Sequence, residues 1–136
     1  MSDQSYPVSG LPQPDPEYSP SEVVEIQLSA LSTNDDPVPD AGIKTAYNFA
    51  SPRNRRGTGP LARFTKMVNS PQYAPMIDHE EAVTGPLERE AERAHQRATL
   101  TGPGGRTVTY LFGLSRYDGA NDSLADCWLT DRVLID

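Results

Sequence analysis

Arg53-Asn-Arg-Arg-Gly-Thr-Gly-Pro60 is the stretch of this sequence best equipped for chemistry. Three guanidiniums, Arg53, Arg55 and Arg56, stand beside a glycine turn that is expected to open a helix. Planar forks of donors next to exposed backbone N–H groups suit an anion. The segment is not a phosphate-cradling P-loop, because no Lys-Ser/Thr follows its glycines. The competing reading is that these arginines pair with surplus acids or bridge to a sheet. A second set is aromatic: Tyr47, Phe64, Tyr110 and Trp128 fall on expected inward faces and could line an apolar pocket, with Gln96 or Asp131 as polar groups inside it. In such a pocket Asp131 could act as a general base, with Tyr110 or Tyr47 as hydrogen-bond donor. The competing reading there is plain core packing, with Asp131 merely ending a strand pairing.

Other reactive residue types lead nowhere specific. Asp78-His-Glu-Glu81 has metal-ligand side chains, but adjacent residues cannot all face one ion from a helix or strand, so a solvated turn is expected and no metal. Cys127 is alone, which excludes a disulfide framework and a thiolate metal site and suits a small buried hydrophobe. His95 has the opposite parity to Ala94 and Gln96 and is expected to point outward. No Ser/His/Asp or Cys/His arrangement has a supporting context, and nothing demands a cofactor.

The elements that position these residues follow from periodicity and punctuation. Residues 1–18 are proline-rich and poor in apolar surface, and read as a disordered tail. Ser19-Pro20-Ser21-Glu22 is a capping box with proline at the first helical position, opening a helix over about 20–33. Its face is Val23, Val24, Gln27, Leu28, Ala30 and Leu31. Asp40 is a candidate cap for a second helix carrying Ile43, Ala46, Tyr47 and Ala50, which Ser51-Pro52 stops. Gly59-Pro60 starts a third, carrying Leu61, Phe64, Met67 and Val68. Residues 76–83 read as helix, strand or neither, with a short strand the candidate. Residues 87–93 begin with strong helix formers, yet Ala94, Gln96, Ala98 and Leu100 alternate as in a strand. Gly102-Pro-Gly-Gly105 predicts a hairpin turn, and Val108, Tyr110, Phe112 and Leu114 predict the next strand over 106–117. A polar loop over 118–122 leads to a last strand over 126–135. Three helices followed by three or four antiparallel strands predict an α+β domain over 19–136, with the helices on one face of the sheet.

The totals bound the partners. The 136 residues carry a formal charge of −7, from 19 acidic and 12 basic side chains, and only Lys44 and Lys66 are lysines. An acidic, lysine-poor surface repels nucleic acid and stays soluble at high ionic strength, which suits either a salt-loving source or an ordinary acidic cytoplasmic domain. No apolar run of about 18 residues exists to span a membrane, and no basic-then-apolar leader is seen, so a cytoplasmic location is expected.

Phe49-Ala-Ser-Pro-Arg-Asn-Arg55, Thr58-Gly-Pro60, Phe64, Met67-Val68 and Tyr73 resemble the family called domain of unknown function 4864. So do Ala94-x-Gln96-x-Ala98, Tyr110, Leu114-Ser-Arg116 and Cys127-Trp-Leu-Thr-Asp131. The resemblance covers about residue 19 to the C-terminus. The chain departs from it in its acidic, proline-rich extension and at Arg132, where a small residue is expected. The resemblance implies the cystatin-like, nuclear transport factor 2-like (SnoaL-like) superfamily: a curved antiparallel sheet wrapped around helices into a cone with a pocket. That superfamily holds isomerases, cyclases, dehydratases and non-catalytic dimerisation modules, and a shared fold does not choose among them.

Three functions therefore compete. The first is a non-catalytic domain that binds a small apolar ligand or self-associates, with Arg93, His95, Arg97, Thr107 and Thr109 on a sheet face that could meet a second copy. The second is an acid–base enzyme on a small hydrophobic substrate. The third is an anion-binding module using Arg53, Arg55 and Arg56.

Overall fold

Ser19 Oγ accepts from the Glu22 N–H at 3.1 Å and the Ser19 N–H donates to Glu22 Oε1 at 2.8 Å, so the predicted capping box opens helix α1, Pro20–Ser32. The structure is a computed structural model of the chain and describes residues 8–118 and 124–136. Val23, Val24, Gln27, Leu28 and Leu31 form the buried face of α1.

Helix α2, Ala41–Asn48, is capped from a distance. Asp40 stands before it but in a left-handed conformation (φ 60°), and its side chain caps nothing. Instead Asn34 Oδ1 accepts from the Ile43 N–H at 2.9 Å, and the Asn34 carbonyl accepts from the Gly42 N–H at 2.9 Å. One loop asparagine thereby satisfies two of the helix's otherwise unpaired donors. The contact is close: a Cβ on Gly42 would stand 2.5 Å from the Ala30 carbonyl oxygen and 2.8 Å from Asn34 Oδ1.

The predicted glycine turn after α2 is itself a helix, α3, Pro52–Thr58. Ser51-Pro52 does more than stop α2, which ends at Asn48; it starts α3, as Ser19-Pro20 starts α1. Ser51 Oγ accepts from the Asn54 N–H at 3.1 Å, and Pro52 sits where its missing N–H costs nothing. Gly57 lies inside this helix and Gly59, at φ 87°, ends it. Helix α4, Leu61–Val68, buries Phe64 and Val68, and Pro60 stands at its cap, one residue before the first helical position. Among the described residues there are thus four helices, where three were predicted.

After a 3-10 turn over Ala74–Met76 come, among the described residues, five strands: β1 (Glu81–Thr84), β2 (Glu88–Glu90), β3 (Arg93–Thr101), β4 (Thr107–Arg116) and β5 (Trp128–Ile135). The pairings between these strands are antiparallel, with β3, β4 and β5 adjacent in that order. β1 and β2 share the outer edge of β3, β1 opposite residues 98–101 and β2 opposite 93–95. Residues 88–90 are thus strand: the helix formers yield to pairing with β3 after a left-handed turn at Ala91 (φ 56°). The β3–β4 hairpin turns at Gly102–Gly105 as predicted, with Gly105 at φ 88°. Of the predicted 118–122 loop, all but Asp118 lies outside the described residues.

Ala94, Gln96, Ala98 and Leu100 of β3 and Tyr110, Phe112 and Leu114 of β4 form the buried sheet face, packed in one core with Val23, Val24, Ile43, Phe49 and Phe64. The fold is α+β, helices first and covering one face of an open antiparallel sheet. Cys127 is buried in a smaller cluster with Leu124 and Leu129. The described part of the expected tail, residues 8–18, makes specific contacts. Asn48, fully buried, accepts from the Val8 N–H at 2.7 Å and donates to the Val8 and Pro12 carbonyls at 3.1 Å, and Tyr18 packs on Phe49. Among the described residues no helix is long and apolar enough to cross a membrane.

The Gly42 contact makes a direct test. Gly42→Ala is expected to destabilise by about 1–3 kcal/mol, because the methyl group drives two helices apart. Gly57→Ala, whose Cβ would meet nothing within 4 Å, is expected to be neutral or stabilising by up to about 1 kcal/mol. Urea unfolding of the two variants measures both.

Candidate functional site

Thr130 on β5 faces Leu114 and Arg132 faces Gly113, so Asp131 has no partner on β4 and forms a β-bulge. The extra residue turns both Thr130 and Val133 toward the helices. Gly113 leaves room for the consequence: a Cβ there would stand 3.2 Å from Arg132 Cγ, so the long Arg132 side chain lies across a glycine.

Thr130 then gathers the surrounding elements. Its N–H donates to the Phe49 carbonyl at 2.8 Å, and its carbonyl accepts from the Ser51 N–H at 2.9 Å and Asn54 Nδ2 at 3.1 Å. Its Oγ1 accepts from Gln27 Nε2 at 2.8 Å, and the same amide reaches the Val23 carbonyl at 3.2 Å. Further along β5, Tyr73 Oη donates to the Val133 carbonyl at 2.8 Å.

These contacts frame a cavity of about 190 Å³ between α1, α4 and β5. Leu31, Ala46, Phe64, Met67, Val68, Met76 and Val133 supply its apolar wall. Gln27, Asn54, Thr58, Tyr73 and Thr130 contribute polar groups, with Asp131 and Arg132 beside them. An apolar wall with a few convergent polar groups is the pattern of a small-molecule site.

Of the aromatic candidates only Phe64 lines this cavity. Tyr47 is buried against Phe64, ring centroids 5.3 Å apart. Trp128 is buried with the Arg89 guanidinium 4.9 Å from its ring centre. Tyr110 is wholly buried, stacks on Tyr73, and donates through Oη to the Gln72 carbonyl at 2.9 Å; burial pushes its phenol up to about 12. Gln96 is buried on the sheet, Nε2 donating to the Gly85 carbonyl at 2.8 Å and Oε1 meeting no partner among the described residues. Asp131 does line the cavity, half-buried, while Tyr47 and Tyr110 do not, so base and donor candidates are not brought to one wall.

Helix α3 splits the arginine trio. Arg53 and Arg56, three residues apart on one helical face, line a separate hollow. Arg55 turns inward: Nε donates to the Ala50 carbonyl at 3.3 Å, and the guanidinium lies 6.0 Å from the Tyr47 ring centre. In the Asp78–Glu81 stretch, Asp78 Oδ1 accepts from the Asn34 N–H at 3.0 Å, and buried His79 places Nδ1 2.9 Å from the Met76 carbonyl. Both side chains hold the backbone. His95 points outward, Nε2 2.6 Å from Glu88 Oε1.

Sequence reasoning missed Gln27, Asn54 and Thr130 as cavity residues. Gln27 carried a signal, since it is the one amide in the apolar stripe of α1 and a buried amide demands a partner. Thr130 and Asn54 carried none, because their roles arise from the bulge and from α3.

The model of the family Domain of unknown function (DUF4864) matches residues 17–131, and the chain belongs to that family. Comparison with curated proteins and with solved structures gives no match.

Two measurements check the chemistry of this region. Thr130→Val leaves the buried Gln27 amide short of an acceptor and is expected to destabilise by about 1–3 kcal/mol, most of it recovered when Gln27→Leu removes the other partner. A double-mutant cycle in urea reads the coupling. For Tyr110, the folded chain holds the phenolic proton to about pH 12 while the unfolded chain releases it near the ordinary value of 10.0. The contribution is therefore complete below pH 10 and lost as pH rises toward 12, by at most roughly 2–3 kcal/mol. Tyr110→Phe is expected to flatten the fall in unfolding free energy across that window.

Proposed function

We propose that this member of the DUF4864 family is a non-catalytic binding domain whose cavity between α1, α4 and β5 takes a small, largely apolar molecule. The observation that carries the reading is the cavity itself: an apolar wall, with the Gln27–Thr130 pair and Asn54 placed to orient one polar substituent. Its size limits the ligand. A dry apolar cavity of about 150 Å³ accepts benzene, so about 190 Å³ suits a single ring with a few further atoms. It is too small for the drug-sized ligands of pockets of roughly 300–1,000 Å³. The placement in the cystatin-like, nuclear transport factor 2-like superfamily belongs to the same proposal. It is supported by helices preceding an antiparallel sheet and by a hollow between helix and sheet.

Asp131 favours a second reading, since a carboxylate lines the same cavity. An acid–base enzyme on a small hydrophobic substrate would use it as base.

Native mass spectrometry of protein purified gently from its own host separates the alternatives. A retained small molecule is expected, lost in Ala46→Leu, which fills the cavity wall without unfolding the protein. Phenol serves as a defined ligand for the same comparison by calorimetry. Conversion of the retained molecule by the wild type, abolished in Asp131→Asn while binding persists, would establish the enzyme. An empty dimer would overturn the pocket reading and turn attention to the outer sheet face, where Leu134 is 46% exposed opposite Leu111.

A further inference from the structure

Four of the chain's twelve basic residues come to one place on the surface. Arg53 and Arg56 of α3, Arg93 at the start of β3 and Arg116 at the end of β4 line a hollow of about 310 Å³. Residues 40 positions apart are joined there by the sheet register, which sets Arg93 opposite Ser115, and by the bridge of Ala50 to Thr130, which lays the start of α3 along β5.

Arg116 is engaged, to Glu92 at 3.3 Å and Asp126 at 3.2 Å. Arg53, Arg56 and Arg93 form no ion pair with any described residue, although the protein carries 19 carboxylates for 12 cations. Cations crowded together repel one another, and in an acidic protein partners are abundant. Their convergence on a concave surface is what a bound anion would offset. Guanidiniums from separate elements can approach such an anion from several directions, each with paired N–H donors.

Two carboxylates, Asp118 and Asp131, line the same hollow. They oppose a fully ionised anion and favour one that retains a proton to donate. Near neutral pH a large share of inorganic phosphate, and a smaller share of a monoester, is the monoanion that keeps a proton, and sulfate keeps none. We propose that this hollow is a binding site for a phosphate group, free or as a small monoester, held by Arg53, Arg56 and Arg93, with its P–OH donating to Asp131 or Asp118. The site shares Asp131 with the apolar cavity, but none of its arginines lines that cavity.

The test is a titration of the full chain, isotopically labelled, with inorganic phosphate and followed by amide chemical shifts, against chloride and sulfate at equal ionic strength. Saturable shifts confined to α3, the start of β3 and the end of β4 are expected with phosphate and not with chloride. Arg53→Gln combined with Arg93→Gln should weaken binding about tenfold or more. Arg63→Gln, which removes one exposed charge elsewhere, should leave it unchanged. The substituted side chains are exposed, and Arg56→Gln alone supplies a second variant should the double one fold poorly. Methyl phosphate distinguishes the sources: binding equal to or tighter than inorganic phosphate identifies a monoester ligand, and its exclusion identifies the free ion. Shifts that chloride reproduces, equal binding of sulfate, or phosphate binding that survives removal of Arg53 and Arg93 would each overturn the assignment.

Discussion

A strand at the edge of a sheet has backbone groups that no further strand covers, and they must be paired or kept from pairing wrongly. In β5 this requirement is met at Thr130, whose N–H and carbonyl are taken by the link between α2 and α3. Once Phe49 and Ser51 are fixed to that edge, the chain leaving them can only start a helix beside it, and Asn54 adds a second donor to the same carbonyl. The threonine side chain works at right angles to this, drawing Gln27 of α1 onto the sheet. One residue therefore joins the first helix, the α2–α3 link and the last strand. These are contacts of long sequence separation, and their loop-closure entropy is offset only because several form together.

The bulge that follows gives the edge its second property. An inserted residue such as Asp131 bends a strand and shifts which of its following side chains face inward. The gap between α1, α4 and β5 is the cavity, closed on one side by Tyr73 at the Val133 carbonyl. Apart from Phe64 and Tyr73, the large aromatic side chains do not line it because they are packed elsewhere. Tyr110, Phe112 and Phe49 are wholly buried and fill the core between helices and sheet. The apolar part of its wall is methionine, alanine, leucine and valine with Phe64, beside the ring of Tyr73. Unbranched methionine adapts to an irregular wall at little energetic cost. The bulge also turns Asp131 to a position shared by the cavity and the arginine hollow, so the two lie on either side of one residue.

Much of the fold was legible because local signals and tertiary structure agree. The box at Ser19–Glu22, the stripe of α1, the alternation of β3 and β4 and the glycine hairpin each act within a few residues. Where a distant group decides, the sequence misled. Asp40 has the right type and place for a cap, yet Asn34 does the capping because the loop folds back on itself. Ser51-Pro52 was read as a stop, although the same dipeptide at Ser19 was read as a start. The basic, glycine-containing run behind it hid a helix that rests on β5 more than on its own propensity. The candidate site was less legible than the fold. Strand parity placed Gln96 and Tyr110 inward and helical spacing placed Phe64 there, but inward is not the same as pocket-lining, and a cavity is defined by what two elements fail to fill.

The lysine-poor composition has a structural cause that does not require salt. Arg55 both donates to a carbonyl and lies over the Tyr47 ring, and Arg89 lies over Trp128. Arg106 reaches the Pro71 carbonyl, and Arg116 divides its two terminal nitrogens between two acids. Arg97 is bound to Asp136 through Nε at 2.6 Å, and that hydrogen bond raises its already high pKa. Each contact uses the plane or the several fixed donors of a guanidinium, which a point-charged ammonium cannot reproduce. Exposed pairs of this kind contribute little to stability singly, so their value lies in geometry: they set loop and strand ends in register. Arg53, Arg56 and Arg93, like Arg63 and Arg132, make no such contact within the described chain, and what distinguishes the three is that they line one hollow. They have the same side chain and the same opportunity for partners, and within the described chain they fix nothing.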